Sequence, residues 1–333
     1  MAETRDKKKV LLTGATGFVG RHVFYALEAA GYEVRCSTRN PEQAKLKFPE
    51  REWVQADLEN ETSIASAIEG CSHALFLVHG MVGNAGDYPK REQRSAAAFA
   101  EAARQAGVER VVYLGGVSAG ILDQESRHLR SRRETGEVLR KAGPSTIELK
   151  AAMIIGSGSA GWVMVRDLAA RLPAMVLPRW LKNTSSPVSI YDVAAALLAA
   201  LALNEKGSLA LELPGRELVS HREFLDMTAK ALERRPIMWN VPLLSPKLSA
   251  YWIAMVTRVD LSLAKELVEG VKFNLIPKGE SIWDRCGGEP MPVEDAIRLA
   301  IEDEGDEEEV TPSAITRLKQ VGAGCLVTGE HAL

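Results

Sequence analysis

The sequence has few cysteines and no pattern that would link them. The 333 residues include four, which lie far apart at Cys36, Cys71, Cys286 and Cys325. They form no CxxC pair and no Cys/His cluster with the spacing of zinc ligands, so the sequence predicts no metal site. Cys36 stands in an apolar, strand-like run and is expected to be a core residue.

The chain also lacks long apolar stretches and a large excess of either charge. No uninterrupted apolar run reaches the length of about 18 residues that a membrane helix needs. The charged residues 1–9 lead straight into a predicted strand, without the apolar segment of a secretory signal. The formal net charge of −3 does not favour nucleic acid or an anionic membrane. We therefore predict a cytoplasmic protein with a small-molecule substrate and with no nucleic-acid or membrane partner.

Short apolar runs alternate with helical patterns over the first half of the chain. This alternation is typical of βαβ units, and continuous apolar runs are typical of strands buried in a parallel sheet. The sequence therefore predicts an α/β fold with a doubly wound parallel sheet. The predicted strands are 10–13, 33–38, 52–56, 73–78, 110–114 and 146–149, and the predicted helices between them are 18–30, 62–69, 92–106 and 128–142.

The segment TGATGFVG at 13–20 is the most informative motif. Its glycines have GxxGxxG spacing, directly after a strand and at the start of a helix, and in that context the pattern predicts a Rossmann-type dinucleotide-binding turn. Gly14 allows a sharp turn, Gly17 leaves room for a pyrophosphate, and Gly20 allows the helix to pack closely on the sheet. A tight turn without a ligand is the alternative. The residues predicted to contact the cofactor here are Gly14, Thr16, Gly17, Phe18, Val19 and Gly20.

The end of the second predicted strand indicates which dinucleotide is bound. NAD-preferring sites place an acid there, but this strand ends in Ser-Thr-Arg-Asn. The guanidinium of Arg39 suits a 2′-phosphate, and Arg21 could join it, so NADP(H) is favoured over NAD(H). Solvated surface arginines are the alternative. Asp57 and Leu58 follow the third strand and are predicted adenine contacts, although Asp57 could instead cap a helix.

The second half of the chain divides less clearly. We predict an NAD(P)-binding Rossmann core over 8–160, a smaller C-terminal α+β substrate lobe over 161–300 that interleaves with the core, and an acidic linker and tail over 301–333. The tail assignment depends on the acidic run EDEGDEEE at 302–309, which is typical of a solvated segment.

At this point the sequence resembles the short-chain dehydrogenases/reductases, specifically their atypical, NmrA-like branch. The resemblance covers roughly residues 8–300 and implies a fold and a cofactor but no particular substrate. The segments that carry it include TGATGFVG at 13–20, TRNP at 38–41, ADL at 56–58, AGVERVVYL at 106–114, HLRSRRE at 128–134 and PVSIYDV at 187–193.

The resemblance also implies a catalytic Asn, Ser, Tyr and Lys, the last two as YxxxK. At the YxxxK position this chain has His128 and Arg132, and the Asn position falls on Ala98. Ser118, after the fifth strand, is the candidate serine. His128 and Arg132 share a helix face, and a nearby arginine would favour a neutral imidazole that acts as hydrogen-bond donor or base. The alternative is that His128 and Arg132 are solvated residues on the helix surface with no catalytic role.

Other polar and aromatic residues are weaker candidates. His79, after the fourth strand, lies at the expected ligand edge and has either a cofactor or a loop role. Tyr88 and Tyr113 are possible substitutes for the missing proton donor, with Tyr113 expected in the core. Lys150 either faces substrate or forms an ion pair. The loop at 156–159 either approaches the nicotinamide end or is an ordinary glycine turn.

Two functions follow from these residues. The first is an NADP(H)-dependent oxidoreductase or epimerase-like enzyme that acts on a small carbonyl or alcohol, with His128 or Ser118 polarising the oxygen and the cofactor supplying the hydride chemistry. The second is a non-catalytic NADP(H)-binding sensor or scaffold, as the resemblance to NmrA-type regulators implies. The fold does not decide between them.

Overall fold

The computed structural model describes residues 8–78, 88–118, 126–241, 246–257, 259–305 and 309–328. His79, one of the predicted cofactor contacts, lies outside these residues.

A seven-stranded parallel sheet forms the centre of the protein. Its strand order is β3-β2-β1-β4-β5-β6-β11, and every neighbouring pair is parallel. This is the predicted Rossmann-type doubly wound sheet, in which the strand order reverses between β1 and β4. The strands are β1 (Lys9–Leu12), β2 (Glu33–Thr38), β3 (Glu52–Gln55), β4 (His73–Phe76), β5 (Arg110–Gly116), β6 (Ser145–Ala151) and β11 (Leu209–Leu213).

Helices cover both faces of this sheet. One face packs against α1 and α7, on which α13 lies, and the other against α3, α4 and α5. In the described part of the chain, no helix has the length and apolar character needed to cross a bilayer. The helices are α1 (Phe18–Ala29), α2 (Pro41–Lys47), α3 (Glu61–Ile68), α4 (Tyr88–Gln105), α5 (Arg127–Ala142), α6 (Ala160–Arg171), α7 (Ile190–Ala202), α8 (His221–Ala231), α9 (Pro246–Val256), α10 (Leu261–Gly270), α11 (Ile282–Cys286), α12 (Val293–Glu302) and α13 (Pro312–Thr328).

Three small two-stranded sheets belong to the C-terminal half. β7 pairs with β10, β9 pairs with β12, and β8 pairs in parallel with β13. Helices α6, α8 and α12 pack around the buried Trp162, which is a core residue that meets Phe224 edge-on. The strands are β7 (Ile154–Ile155), β8 (Ala174–Pro178), β9 (Thr184–Ser185), β10 (Val188–Ser189), β12 (Val219–Ser220) and β13 (Ile237–Val241).

The C-terminal segment differs from the prediction of a linker and tail. Residues 312–328 form α13, which packs on α1 with Leu318 fully buried. The two helices approach so closely that a Cβ at Gly322 would lie 2.1 Å from the carbonyl oxygen of Ala26. Asp303, in the acidic run, is buried, and its carboxylate accepts hydrogen bonds from the Tyr191 hydroxyl and the Arg317 guanidinium. The run therefore includes a buried anchor for the last helix.

Candidate functional site: a dinucleotide cleft at the carboxyl edge of the sheet

The glycine-rich loop, residues 13–17, links β1 to α1 at the point where the strand order reverses. Open α/β sheets bind ligands in the crevice at such a point. Thr13 fixes the loop to the neighbouring strand, because its hydroxyl donates to the Leu75 carbonyl oxygen at 3.0 Å and accepts from the Leu77 amide at 3.1 Å. The loop therefore lies at the carboxyl ends of β1 and β4.

Each of the three glycines of the loop and α1 has a different structural role. Gly14 adopts a left-handed φ of +67°, and a Cβ there would lie 2.8 Å from the Leu77 carbonyl oxygen. A Cβ at Gly20 would lie 2.2 Å from the Gly14 carbonyl oxygen, so glycine is needed for α1 to pack this close. At Gly17 the backbone is ordinary extended chain, and among the described residues a Cβ would meet only the Gly14 oxygen, at 3.2 Å. The space beside Gly17 is thus suited to a ligand that approaches the backbone.

The start of α1 supplies donors toward this space. The first hydrogen bond of the helix runs from the Arg21 amide to the Gly17 carbonyl oxygen at 2.9 Å. The amides of Phe18, Val19 and Gly20 precede it and have no acceptor within the helix, and the helix dipole makes this end positive. Amides of this kind match the oxygens of a diphosphate. The residues that the structure brings together therefore fit a dinucleotide.

Arg51 is a residue of this site that sequence reasoning missed. Its buried guanidinium lies beneath the loop, 3.4 Å from the Ala15 carbonyl oxygen and 3.5 Å from the Arg21 carbonyl oxygen. The rings of Phe24 and Phe48 lie 4.1 and 4.3 Å from its Cζ, so the charge is buried against two aromatic faces. Nothing in the local sequence before β3 signals this contact, since it depends on the approach of three separate segments.

The two arginines predicted to meet a 2′-phosphate have different surroundings. Arg39 follows β2 and is exposed, whereas Arg21 is buried in the first turns of α1. Asn40, beside Arg39, caps α2 by accepting from the Gln43 amide at 3.2 Å, which fixes the backbone just after β2. Arg39 is therefore the better placed of the two to reach a phosphate in solvent.

Asp57 lies after β3 and does not cap α3. Asn60 is the N-cap residue, because its side chain accepts from the Ser63 amide at 3.2 Å. The Asp57 carboxylate instead accepts from the Glu59 amide at 3.1 Å and shapes the turn. Asp57 and the adjoining Leu58 are both half-buried. Their contact with an adenine stays a prediction.

Ser118 and the start of α5, which carries His128 and Arg132, lie near the carboxyl end of β5. Ser118 is half-buried two residues after that strand. The Arg132 guanidinium donates to the Leu114 carbonyl oxygen, and the Tyr113 hydroxyl donates to the Arg132 carbonyl oxygen at 3.1 Å, so the first turns of α5 are fixed to the end of β5. β5 is two strand positions from β1, or roughly 10 Å. That separation suits a dinucleotide lying across the sheet edge with its diphosphate at β1 and its nicotinamide at β5.

His128 is the second residue of α5 and is half-buried. Burial, together with the positive charge of Arg132, lowers its pKa to about 3. The imidazole is therefore neutral at pH 7. It can donate one hydrogen bond and accept another, but it cannot act as an imidazolium acid.

Tyr88, Tyr113 and Lys150 lie in three different environments. Tyr113 is fully buried in β5, and burial raises its pKa above the usual range, as expected of a core residue. Tyr88 begins α4 and is buried, with Arg127 4.8 Å from its ring centroid, and burial raises its pKa to about 12. Lys150 lies 3.7 Å from a carboxylate oxygen of Glu212, so the ion-pair interpretation is the one the structure supports.

The loop at 156–159 approaches the glycine-rich loop from the C-terminal half. A Cβ at Gly156 would lie 2.9 Å from both Phe18 and Ile190. The Ser159 hydroxyl donates to the Ile154 carbonyl oxygen at 2.8 Å and closes the loop. The loop at 156–159 thus lies beside the start of α1.

The fold and this edge define a Rossmann-type nucleotide-binding protein. A family model described as NAD(P)H-binding matches residues 14–203, more than half of the chain. The chain belongs to this NAD(P)H-binding family. The match confirms the resemblance to atypical short-chain dehydrogenases/reductases at the level of the family, and the NmrA-like subtype stays a prediction.

Two relatives of known activity are similar over most of their length. A ceramide reductase of Caulobacter vibrioides is 29% identical over 238 residues, which cover 70% of this chain and 73% of that protein. A (4-alkanoyl-5-oxo-2,5-dihydrofuran-3-yl)methyl phosphate reductase of Streptomyces griseus is 28% identical over 287 residues, covering 83% and 93%. Both names describe reductases, although their substrates differ.

A solved structure with the same fold is the triphenylmethane reductase of Citrobacter sp. complexed with NADP(H). It superposes with a TM-score of 0.69 at 17% identity, over 88% of this chain and 99% of that one. At this identity the likeness shows the fold alone.

Proposed function

We propose that this protein is an NADP(H)-dependent oxidoreductase, or an epimerase-like enzyme, that acts on a small carbonyl or alcohol. The observation that carries the proposal is the placement of three groups along one sheet edge. These are the glycine-rich loop at β1, the exposed Arg39 after β2 and His128 beside the end of β5. The names of the two relatives support a reductase, and the NADP(H) complex supports the cofactor class.

The cofactor would lie across the edge with its diphosphate at the amides of Phe18 and Val19. Arg39 would meet the 2′-phosphate as a bidentate donor, with Asp57 and Leu58 beside the adenine. Arg51 would act from below, because it bonds to the backbone of the loop at Ala15 and of α1 at Arg21.

His128 would polarise the substrate oxygen. When bound, NADPH would supply a hydride to the carbonyl carbon, so the electron pair of the C=O bond moves onto the oxygen. The neutral imidazole N–H of His128 donates to that oxygen as its charge develops, and Ser118 can offer a second hydroxyl donor. The proton that completes the alcohol comes from water, because burial keeps the imidazolium form scarce at pH 7. Arg132 positions α5 through its bond to the Leu114 carbonyl oxygen.

The test is NADPH consumption against a panel of carbonyl compounds, first with the unaltered protein. For a compound that turns over, His128→Ala is expected to lower kcat by about 10²- to 10³-fold, the usual effect of removing an oxyanion donor. His128→Gln keeps an N–H donor and is expected to retain more activity. Arg130→Ala, on the exposed side of the same helix, is the matched control. Turnover that is unchanged in His128→Ala contradicts the role of His128.

Cofactor choice is tested separately. Arg39→Asp removes a charge-assisted phosphate contact and is expected to weaken NADPH binding by about 10- to 100-fold while NADH binding changes little. Lys45→Asp, an equal charge change on the exposed side of α2, is expected to leave the ratio unaltered. Equal affinity of the unaltered protein for NADPH and NADH contradicts the preference.

A non-catalytic NADP(H) sensor is the second candidate. It is favoured by the replacement of the YxxxK pair with His128 and Arg132, and by the bond that commits the Arg132 guanidinium to the Leu114 carbonyl oxygen. Micromolar NADPH binding with no turnover of any carbonyl in the panel, in the unaltered protein, is the outcome that selects the sensor over the enzyme.

A further inference from the structure

The outer side of the two-stranded sheet β8/β13 is an apolar surface. Val176 pairs in register with Trp239, and both are exposed together with Ile237; Trp239 and Ile237 each expose 57% of their surface. The inner side of the same sheet is buried in the core through Met175 and Leu177. The sheet therefore presents apolar side chains in both directions, and only one of these directions is covered.

Helix α9 lies next to this sheet, with Trp252 packed against its inner side, and also exposes apolar side chains. Tyr251 and Met255 lie one turn apart on the helix and are 55% and 77% exposed. The end of α9 and the start of β13 both bond to the turn at 171–173. The Arg171 guanidinium donates to the Val256 carbonyl oxygen at 2.7 Å, and the Ile237 amide donates to the Pro173 carbonyl oxygen at 2.9 Å. We call the exposed side of β8, β13 and α9 the β8–α9 face.

Exposed large apolar residues are concentrated on this face. Among the described residues, the only others are Leu46 on α2 and Leu218 beside β12. Isolated exposed apolar residues are ordinary on protein surfaces, but a cluster marks an interaction surface. The members of the cluster are Val176, Ile237, Trp239, Tyr251 and Met255.

Basic residues flank the two strands of the cluster in the sequence. The stretches 171–182 and 230–241 have six Lys and Arg residues and one acid, Glu233, in a chain whose net charge is −3, whereas α10, which packs on α9, carries Lys265 and the acids Glu266 and Glu269. Arg179, Lys182, Arg234 and Arg235 are exposed beside the strands. The partner of this face is therefore expected to be apolar at its centre and anionic around it.

We propose that the β8–α9 face docks peripherally on a lipid bilayer that contains anionic headgroups. Trp and Tyr combine an apolar ring with a polar group and suit the boundary between headgroups and acyl chains, and the surrounding Lys and Arg are attracted to the negative surface. A second copy of the chain fits less well, because a two-fold contact would set the same basic rim against itself. The net charge, from which we expected no membrane partner, averages over the whole surface and does not record that one face is basic.

The test is co-sedimentation of the full chain with two vesicle preparations, pure phosphatidylcholine and phosphatidylcholine with about one third phosphatidylglycerol. Binding is expected only to the anionic vesicles. Removing two charges with Arg234→Gln and Arg235→Gln is expected to weaken it by about 25-fold, at about five-fold for each basic residue. Trp239→Glu is expected to weaken it by about 10-fold or more, and Met255→Glu serves as a second variant at a more exposed position.

Leu46→Glu and Leu218→Glu are the matched controls, because they make the same kind of change away from the face. NADPH affinity is measured for every variant, so a loss of vesicle binding is distinguished from a loss of the nucleotide site. The proposal is overturned by three results: no binding to anionic vesicles, equal binding to pure phosphatidylcholine, or equal losses in the Leu46 control. A dimer in light scattering that Trp239→Glu converts to a monomer would also overturn it, by assigning the face to a second copy.

Discussion

The nucleotide site can be tested by adding one methyl group at Gly17. Its extended φ and ψ of −77° and 170° are open to any residue, and the nearest described atom to a new Cβ would be the Gly14 carbonyl oxygen at 3.2 Å. We therefore expect Gly17→Ala to change the free energy of unfolding by less than about 1 kcal/mol, since lower chain entropy in the unfolded state offsets a tight contact. The added methyl group would instead occupy the space where a diphosphate approaches.

The loss of affinity follows from the bonds that the methyl group prevents. Two charge-assisted hydrogen bonds from the amides of α1, at about 1.5–3 kcal/mol each, correspond to an increase in Kd for NADPH of about 10²- to 10⁴-fold. Isothermal titration calorimetry measures the Kd, and urea unfolding measures the stability. Gly20→Ala is the contrasting variant, because its Cβ would clash inside the protein and is expected to lower both the affinity for NADPH and the stability. An unchanged Kd in Gly17→Ala, and again in Gly17→Val, refutes the reasoning.

Three further changes test the packing and electrostatics of helices α1, α7 and α13. Gly322→Ala places a methyl group against α1 and is expected to lower the free energy of unfolding, measured in urea, by about 1–3 kcal/mol. Gly324→Ala, on the exposed side of α13, is expected to leave this free energy equal or higher. Equal losses in the two variants contradict the close contact. Burial raises the pKa of Asp192 to about 7, so the folded protein keeps a proton that the unfolded chain releases above about pH 4. The free energy of unfolding is therefore expected to fall between pH 4 and 7, by up to about 4 kcal/mol. Asp192→Asn is expected to flatten that dependence, and a slope that survives contradicts the assignment. Arg317→Ala leaves the buried Asp303 carboxylate without its guanidinium partner and is expected to lower the free energy of unfolding, measured in urea, by about 1–3 kcal/mol. Arg298→Ala, whose ion pairs are exposed, is expected to lower it by less than about 0.5 kcal/mol. Similar losses in the two variants contradict the role of Asp303 as an anchor for α13.

The central sheet was predictable because its signals are local. Strand 33–38 has the same bounds in the structure as in the sequence analysis, since it is a β-rich run that ends at polar residues. Cys36, in this strand, is fully buried, and burial raises the pKa of its thiol to about 12, as expected of a core residue. The glycine motif has a similar basis, because Gly14 needs a left-handed φ and Gly20 packs against the Gly14 carbonyl oxygen within the same motif.

The features that the sequence did not reveal depend on contacts between distant segments. Helix α13 was interpreted as a tail because an acidic run precedes it, and its partner on α1 could not be identified from small residues such as Ala314 and Gly322. Arg51 looks like an ordinary surface residue until the rings of Phe24 and Phe48 meet it. The environment of His128 was partly predictable, since the neighbouring Arg132 was expected to keep the imidazole neutral, but burial is the larger cause of its low pKa.

The most direct test is a crystal structure of the protein grown with NADP⁺. The account predicts diphosphate oxygens within about 3 Å of the amide nitrogens of Phe18 and Val19, with the nicotinamide toward His128 at the end of β5. Nucleotide density at another part of the chain, or a diphosphate held away from the glycine-rich loop, would contradict it.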